Sequence, residues 1–443
     1  MQIKLSDHFT YSRLFKFTIP SIIMMIFTSI YGVVDGLFIS NFVGKEPFAA
    51  INLIFPVIML IGTFGFMMGA GGTAIVSKTL GEKDNDRANR YFSFIVYVTV
   101  GIGVSLALVA FAFMKPLATL VGASETTYDY CVIYGRIVVL SMPFFMVQNL
   151  FQSFFIAAEK PKLGLWVTVA AGLTNIVLDA LFVAVLDFGL VGAALATSLS
   201  QVTGAVIPIF YFARKNASVL RLTKTAFYAR VLIKSITNGS SELVSNASAS
   251  VVMMLYNYQL MRFAEEDGVA AYGVIMYLSF IFIAMFIGYS LGCAPIVGYN
   301  YGAKNTDELK NIFKKSAITL TLAGAAMMLV SFFLATPLSK IFVSYDQNLL
   351  DITVRGMQIY SLSFLFSGFG IFGSSFFTAL NNGPVSAIIS SLRTLVYQVL
   401  SILILPIAFE LDGIWFSIVL AEALSFITTW IFLIAKRNKY GYM

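Results

Sequence analysis

Charge, histidine and cysteine are scarce in this sequence, and each scarcity excludes a class of protein. Of the 443 residues 12% are charged and 58% are hydrophobic, whereas a soluble domain normally holds about a quarter charged residues. The chain is therefore not a soluble protein. A single histidine, His8 in the N-terminal tail, leaves a metalloenzyme without its usual ligands, and we expect this side chain to be solvated. The two cysteines, Cys131 and Cys293, fall on segments placed at opposite membrane faces, so no disulfide framework is expected.

Long apolar runs predict an all-α membrane protein with twelve transmembrane helices. At roughly 20 apolar residues per span, the chain accommodates about twelve passes and leaves no room for a folded domain outside the membrane. Residues 1–13 are expected to be a retained tail. The runs, bounded by charged or Gly/Pro-rich breaks, place helices near residues 14–40, 48–73, 91–114, 130–157, 163–186, 190–213, 235–262, 269–297, 313–336, 353–380, 386–409 and 413–435.

Lysine and arginine are distributed unequally between the two predicted faces. If the N-terminus is cytoplasmic, 22 of the 29 Lys and Arg residues lie on that face, in the segments 4–16, 78–90, 160–162, 214–234, 304–315 and 436–439. This is the positive-inside pattern. The net charge of +7 is spread over many short loops, so no nucleic-acid partner is expected. The sequence thus predicts a multi-pass protein of the plasma membrane, the inner membrane of a bacterium, with both termini cytoplasmic.

An internal repeat with an offset of about 221 residues divides the chain into two halves. The matched segments are 71–76 with 292–297, 81–86 with 302–307, and 154–157 with 376–379. Six helices in each half bring both halves into the membrane from the same side, so a pseudo-two-fold axis along the membrane normal relates them, as in transporters that rock two lobes. We predict an N-terminal lobe at residues 1–213, a basic cytoplasmic linker with a short amphipathic segment at 214–234, and a C-terminal lobe at 235–443.

Two acidic residues in predicted spans indicate an ion-binding site in the N-terminal lobe. An ionised side chain inside the bilayer costs at least a few kcal/mol, so each one is a functional candidate. Asp35 follows Tyr31 by one turn in the first helix, and Asp179 follows Asn175 by one turn in the fifth. With the Thr197 hydroxyl of the sixth helix, these side chains are expected to share one polar pocket. Two facing carboxylates cannot both stay charged without a cation, so the pocket is predicted to bind a proton or a sodium ion. The alternative is that both acids fill polar holes in helix packing.

Other polar positions in the predicted spans allow more than one interpretation. Glu242 follows the polar, glycine-containing stretch 238–241, which is consistent with an interrupted helix lining a second-lobe cavity, whereas Arg393 and Glu422 are expected to neutralise each other. Pro20 interrupts the first span, where a bend would move the aspartate of that helix, so it is a candidate hinge. The 18 methionines and 42 phenylalanines suit an adaptable cavity for amphiphilic compounds and equally suit lipid contact, so none is named as a substrate residue.

On the evidence of the repeat and of these polar residues, the whole chain resembles the multidrug and toxic compound extrusion (MATE) transporters. The halves share the signature Gly-x-x-x-Ile-Val-x-x-x-x-Gly after helices 2 and 8 and the element Phe-Phe-x-Ala ending helices 4 and 10. The predicted N-lobe cluster matches, in identity and spacing, the cation-binding cluster of the bacterial and archaeal branch similar to DNA-damage-inducible protein F: Tyr31, Asp35, Asn175, Asp179 and Thr197. Pro20 stands where that branch has a proline proposed to bend when the aspartate is protonated.

The resemblance implies a secondary antiporter that takes up a proton or sodium ion from outside and releases cationic amphiphiles there. No cofactor is implied, and we expect a monomer. The second lobe departs from another branch of the family, because helices 7 and 10 lack acids at the depths where that branch places a sodium site. The nearest alternative is a lipid-linked oligosaccharide flippase of the same superfamily, which would need an arginine-rich cavity for a diphosphate. A remote alternative is an intramembrane aspartyl protease that uses Asp35 and Asp179.

Overall fold

The computed structural model describes residues 3–344 and 346–443. Between residues 33 and 45, at the end of the first helix and the start of the second, the side chains of six residues are not described: Val33, Asp35, Leu37, Ser40, Asn41 and Lys45. Every regular element in the described ranges is helical. Cys131 and Cys293 are both buried and free, as expected from their separate locations.

Each half of the chain consists of helices joined by short connections. The N-terminal half contains α1 (Tyr11–Phe42), α2 (Lys45–Gly81), α3 (Asn85–Ala112), α4 (Met114–Leu120), α5 (Tyr128–Leu140), α6 (Met142–Ala157), α7 (Pro161–Asp179), a π-helical segment (Ala180–Val185) and α8 (Gly189–Ala213). The C-terminal half contains α9 (Ala229–Gly302), α10 (Thr306–Phe333), α11 (Ala335–Val343), α12 (Gln347–Ser361), α13 (Phe364–Ala379), α14 (Gly383–Ser391), a second π-helical segment (Leu392–Val396) and α15 (Tyr397–Tyr440).

These elements make twelve passes, as predicted. Eight continuous helices in the described ranges are long and apolar enough to span a membrane, and the bent pairs α5–α6 and α12–α13 each supply one more. Two of the eight are double: α9 has non-helical backbone at Ala264 and Glu265, and α15 has it at Glu410. In α9 the rings of Tyr256 and Tyr272 stack 5.0 Å apart, whereas an unbroken helix would separate them by about 24 Å. The helix therefore doubles back, and its two arms are residues 229–263 and 266–302.

The backbone repeats with the same offset as the sequence. Left-handed φ angles occur at residues 44, 83, 159 and 187, and again at 265, 304, 381 and 410, which are 221 to 223 positions further on. Each of these residues reverses the chain between two passes. Because seven of the eight are not glycine and each of these is strained in this conformation, their recurrence shows that the turns themselves are duplicated.

The linker and the N-terminal tail both contact other parts of the protein. Residues 214–228 are non-helical and α9 begins at Ala229, so only the last six residues of the predicted linker 214–234 are helical. The linker lies against the start of α3, where the Arg221 N–H donates to Asn89 Oδ1 at 2.7 Å. The His8 side chain is largely exposed, as expected, and its Nδ1 also lies 2.7 Å from Oε2 of Glu308.

The face that carries the N-terminal tail, the linker and the C-terminus, here named the linker face, is where the two halves meet. Helices α2 and α9 approach so closely that a Cβ would overlap the opposite backbone at Gly71, which lies against Ser235, and at Gly81, which lies against Tyr299. Small residues permit this kind of backbone approach between membrane helices.

Polar contacts strengthen the same junction. The Asn238 amide of α9 donates to Asn381 Oδ1 at 2.9 Å, and the Asn381 amide donates to the Ala74 carbonyl of α2 at 3.0 Å. The stretch 238–241 is continuously helical and joins the halves, so the predicted interrupted helix is wrong. Away from the linker face, one hydrophobic cluster, whose buried members run from Ile39 to Ala194, contains only residues of the N-terminal half.

Candidate functional site

Helices α1 and α7 build the core of the predicted ion site. Gly172 of α7 lets α1 come close, because a Cβ at this glycine would lie 3.3 Å from Cδ1 of Tyr31. The Tyr31 ring also packs against Phe27 one turn earlier, with centroids 5.9 Å apart. Tyr31 is therefore held at the α1–α7 contact, within one helical turn of Asn175.

The two polar residues of α7 are deeply buried. Asn175 is 2% exposed and Asp179 is 0% exposed. Asp179 ends the α-helical part of this span, and residues 180–185 continue as a π-helix. A π-helical segment is rare and frequently occurs at functional sites, because the widened turn redirects side chains and weakens the backbone ladder. Sequence periodicity gave no signal for it.

The depth of the Asp35 backbone in the membrane follows from its position along α1. Helices α1 and α7 both start at the linker face and run in the same direction. With a rise of 1.5 Å per residue, position 35 lies about 6 Å beyond Tyr31, while Asn175 and Asp179 lie about 4.5 and 10.5 Å beyond Gly172. The backbone of Asp35 is thus level with the stretch between them. The Asp35 side chain lies outside the described residues, so its contacts stay a prediction.

Thr197 lies on α8, which packs along α7 in the opposite direction. Thr197 is eight residues from the start of its helix, and Asp179 is six residues from the end of its own span. Both therefore lie about 9 to 12 Å from the face opposite the linker face. The Thr197 hydroxyl oxygen is buried and has no hydrogen-bond partner among the described residues. Its depth and its unused oxygen suit the predicted cluster.

Further polar side chains in this lobe were missed by the sequence analysis. Ser141 at the bend between α5 and α6 donates to Gln201 Oε1 of α8 at 2.6 Å, and Gln152 of α6 donates to Thr168 Oγ1 of α7 at 3.4 Å. Their uncharged amides and hydroxyls resemble those of many membrane helices. Only Thr168 lies in a helix that also carries one of the acids, so the sequence gives no signal for the other three.

The C-terminal lobe holds a different arrangement. Arg393 Nη2 lies 2.8 Å from Glu422 Oε1 and Arg393 Nε donates to Oε2 at 2.9 Å, while the Glu422 side chain is 3% exposed. The pair neutralises itself, as predicted. Gly370 makes room for it, since a Cβ there would lie 2.7 Å from Arg393 Cδ.

The repeat also shows what the second lobe lacks. Counting from the equivalent turns at Glu159 and Asn381, the positions of Asn175 and Asp179 correspond to Tyr397 and Ser401. Within the described residues, this register offers the second lobe no acid at the depth of Asp179.

Two further candidates can now be located. Glu242 lies more than three turns inside α9, because the helix starts at residue 229 rather than 235, and its side chain is half-buried. Pro20 lies in the continuous helix α1, where the neighbouring Thr18 and Ile22 touch Gly292 and Gly288 of α9. Pro20 therefore sits where α1 contacts the other half, next to the segment that leads to the ion site.

Fold and site together define a class of protein: a twelve-pass membrane transporter with two related lobes and a buried polar site in one of them. A family model described as MatE matches residues 20–181 and 243–403. The chain belongs to this family. Its members are transporters and not enzymes, so the aspartyl protease alternative is wrong.

Individual relatives cover almost the whole chain. The sequence is 25% identical over 438 residues to the multidrug export protein MepA of Staphylococcus haemolyticus, and 24% identical over 438 residues to MepA of Staphylococcus aureus, with 98% of this chain and 96% of each relative covered. A MATE structure in complex with MaL6 is similar with a TM-score of 0.92, 22% identity and 97% of both chains covered. A MOP superfamily transporter from Pyrococcus furiosus is similar with a TM-score of 0.89, 22% identity and 96% of both chains covered.

Proposed function

We propose that the protein is a secondary multidrug efflux antiporter that exports cationic or amphiphilic compounds and is driven by proton or sodium influx. The observation that carries the proposal is Asp179, an acid that is 0% exposed inside a membrane-spanning helix and lies one turn from the buried Asn175. The relatives named above are multidrug export proteins, which supports the choice of substrate class.

The chemistry follows from the cost of burying charge. A carboxylate inside a lobe is stabilised when it binds a proton or a hard monovalent cation, and the Asn175 amide, the Tyr31 phenol and the Thr197 hydroxyl offer further oxygen ligands. Cation binding at Asp35 and Asp179 would change the packing of α1, and Pro20 would let α1 bend. The gradient supplies the energy, since one charge crossing the membrane is worth about 2.3 kcal/mol per 100 mV.

The contacts between the halves support one state of an alternating-access cycle. The close backbone approaches at Gly71 and Gly81 and the Asn381 bond all lie toward the linker face. We place that face in the cytoplasm because of the positive-inside pattern. We therefore infer that the structure corresponds to a state closed to the cytoplasm.

The flippase alternative finds little support in the arginines. Arg136 lies over the Phe111 ring at 5.1 Å, Arg355 pairs with Asp412, and Arg393 pairs with Glu422. Two of the three guanidiniums are paired with carboxylates and the third faces an aromatic ring, so these residues do not form the arginine-rich cavity that a diphosphate would need.

The test is export of ethidium from proteoliposomes under a proton gradient and, separately, under a sodium gradient. We expect one or both gradients to drive export, which would also name the coupling ion. Asp35→Asn should still bind ethidium and should lose gradient-driven export. Full export by this variant would contradict the role of the aspartate, and no export by the wild type under either gradient would favour the flippase.

A further inference from the structure

The chain segment before α1 crosses from one half of the protein to the other. Residues 3–10, here named the N-terminal strap, have no regular helix or strand, yet Leu5 is 1% exposed and Phe9 is 0% exposed. Both side chains belong to a hydrophobic cluster made mainly of residues from the C-terminal half. A charged tail without a function would normally be poorly ordered, so this burial calls for an explanation.

One end of the strap is fixed to the C-terminal half through Glu308, in the first turn of α10. Glu308 Oε2 lies 2.7 Å from His8 Nδ1, and the Phe9 N–H donates to Oε1 at 2.9 Å. The Phe9 carbonyl accepts from Asn311 at 3.0 Å and from Lys315 Nζ at 2.6 Å. The Glu308 side chain is 7% exposed. Hydrogen bonds to a charged group that is this well shielded are the stronger kind.

The other end of the strap is fixed to the N-terminal half through Glu159. The Leu5 N–H donates to Glu159 Oε1 at 2.8 Å. Glu159 forms the turn between α6 and α7 and has a left-handed φ of 59°. Burial raises the pKa of its carboxyl, an effect that the Leu5 hydrogen bond and the Lys4 charge oppose. The five residues from Leu5 to Phe9 thus connect a turn of the N-terminal half to the start of α10 in the C-terminal half.

The repeat places a second bridge at the equivalent turn. Asn381 is the counterpart of Glu159, with a left-handed φ of 57°, and its amide reaches the Ala74 carbonyl in the opposite half. Both turns therefore contribute a bond between the halves at the linker face. The strap supplies on one side what the Asn381 side chain supplies on the other.

We propose that the N-terminal strap is a latch that stabilises the state closed at the linker face and must release before that face can open. The proposal rests on the alternating-access function proposed above, because only a protein whose halves separate at this face has a use for a releasable bridge. Its anchors are Glu308 in one half and Glu159 in the other. Either anchor can be removed without touching the ion site.

The test measures the distance between the halves at the linker face by double electron–electron resonance. Spin labels are attached at Arg90→Cys and Lys310→Cys, two exposed positions at the starts of α3 and α10, with both native cysteines replaced by alanine. We expect Glu308→Ala to raise the ratio of open to closed molecules by about tenfold or more, because it removes hydrogen bonds to a charged group. The matched control is Asp307→Ala, which removes an exposed acid next in sequence and should leave the distances unchanged.

A second variant, at the other anchor, distinguishes release of the strap from a folding defect at α10. Glu159→Asn shortens the side chain so that it no longer reaches Leu5, and asparagine tolerates the left-handed backbone at this turn. It should shift the distances in the same direction as Glu308→Ala. Unchanged distances in both variants would overturn the latch, even if ethidium export is normal. A shift in both variants, in a protein that exports no ethidium, would support the latch and contradict the antiporter.

Discussion

Replacing Gly239 with alanine tests whether the halves are locked at the linker face by backbone contact. A Cβ at Gly239 would overlap the carbonyl of Met67 in α2 of the other half. Because both sides of this contact are backbone, no side-chain rotation relieves it and the helices must move apart. Overpacking of this kind costs about 1–3 kcal/mol, which lowers the ratio of closed to open molecules by about 5- to 150-fold.

The matched control is Gly273→Ala in the second arm of the same helix, α9. A Cβ there would meet no atom within 4 Å, so the substitution brings only the helix-forming advantage of alanine, about 0.5–1 kcal/mol. The assay is the spin-label distance between positions 90 and 310. Gly239→Ala should populate the longer distance and Gly273→Ala should not. Equal distance distributions in the two variants would refute the claim that this contact holds the face closed.

Two other substitutions probe the C-terminal half. Glu422→Leu alone leaves the partly buried Arg393 without its partner and should destabilise the protein by about 3–5 kcal/mol, whereas adding Arg393→Met should restore most of this loss. Thermal unfolding in detergent measures both, and equal losses in the single and double variants would contradict a self-neutralising pair. Asn381→Gly keeps the left-handed turn but removes the bonds to Asn238 and Ala74, so it should weaken the closed state by about 1–3 kcal/mol and lengthen the spin-label distance; an unchanged distance would show that these bonds do not hold the halves together.

The passes and the duplication could be predicted from the sequence because hydropathy and spacing report them directly. The predicted spans differ from the observed ones mainly in length: the hydropathy pattern predicts the first at residues 14–40, and α1 is Tyr11–Phe42. Polar residues such as Lys78 lengthen α2 beyond the apolar run, since a membrane helix continues into the water with charged last turns. The turns at Glu159 and Asn381 repeat in the structure although their side chains differ, so sequence identity alone could not have found them.

The contacts between the halves could not be predicted, because they depend on which glycines face another backbone. In the sequence, Asn238 and Gly239 resemble an interrupted helix that lines a cavity, but in the structure they serve close packing at the linker face. His8 and Glu308 are 300 residues apart, and no periodic pattern connects a tail with a helix start. The π-helical segment after Asp179 likewise depends on tertiary packing rather than on local propensity.

The most direct test of the central claim is gradient-driven ethidium export by Asp179→Asn. Its matched control is Asp187→Asn, because Asp187 is an exposed residue eight positions further on, in the turn before α8. Both substitutions remove one negative charge and keep the side-chain size. We predict that Asp179→Asn binds ethidium with little change but loses export under the coupling gradient, while Asp187→Asn exports at the wild-type rate. Wild-type export by Asp179→Asn would contradict the account, because the buried acid of the N-terminal lobe would then not be the coupling site.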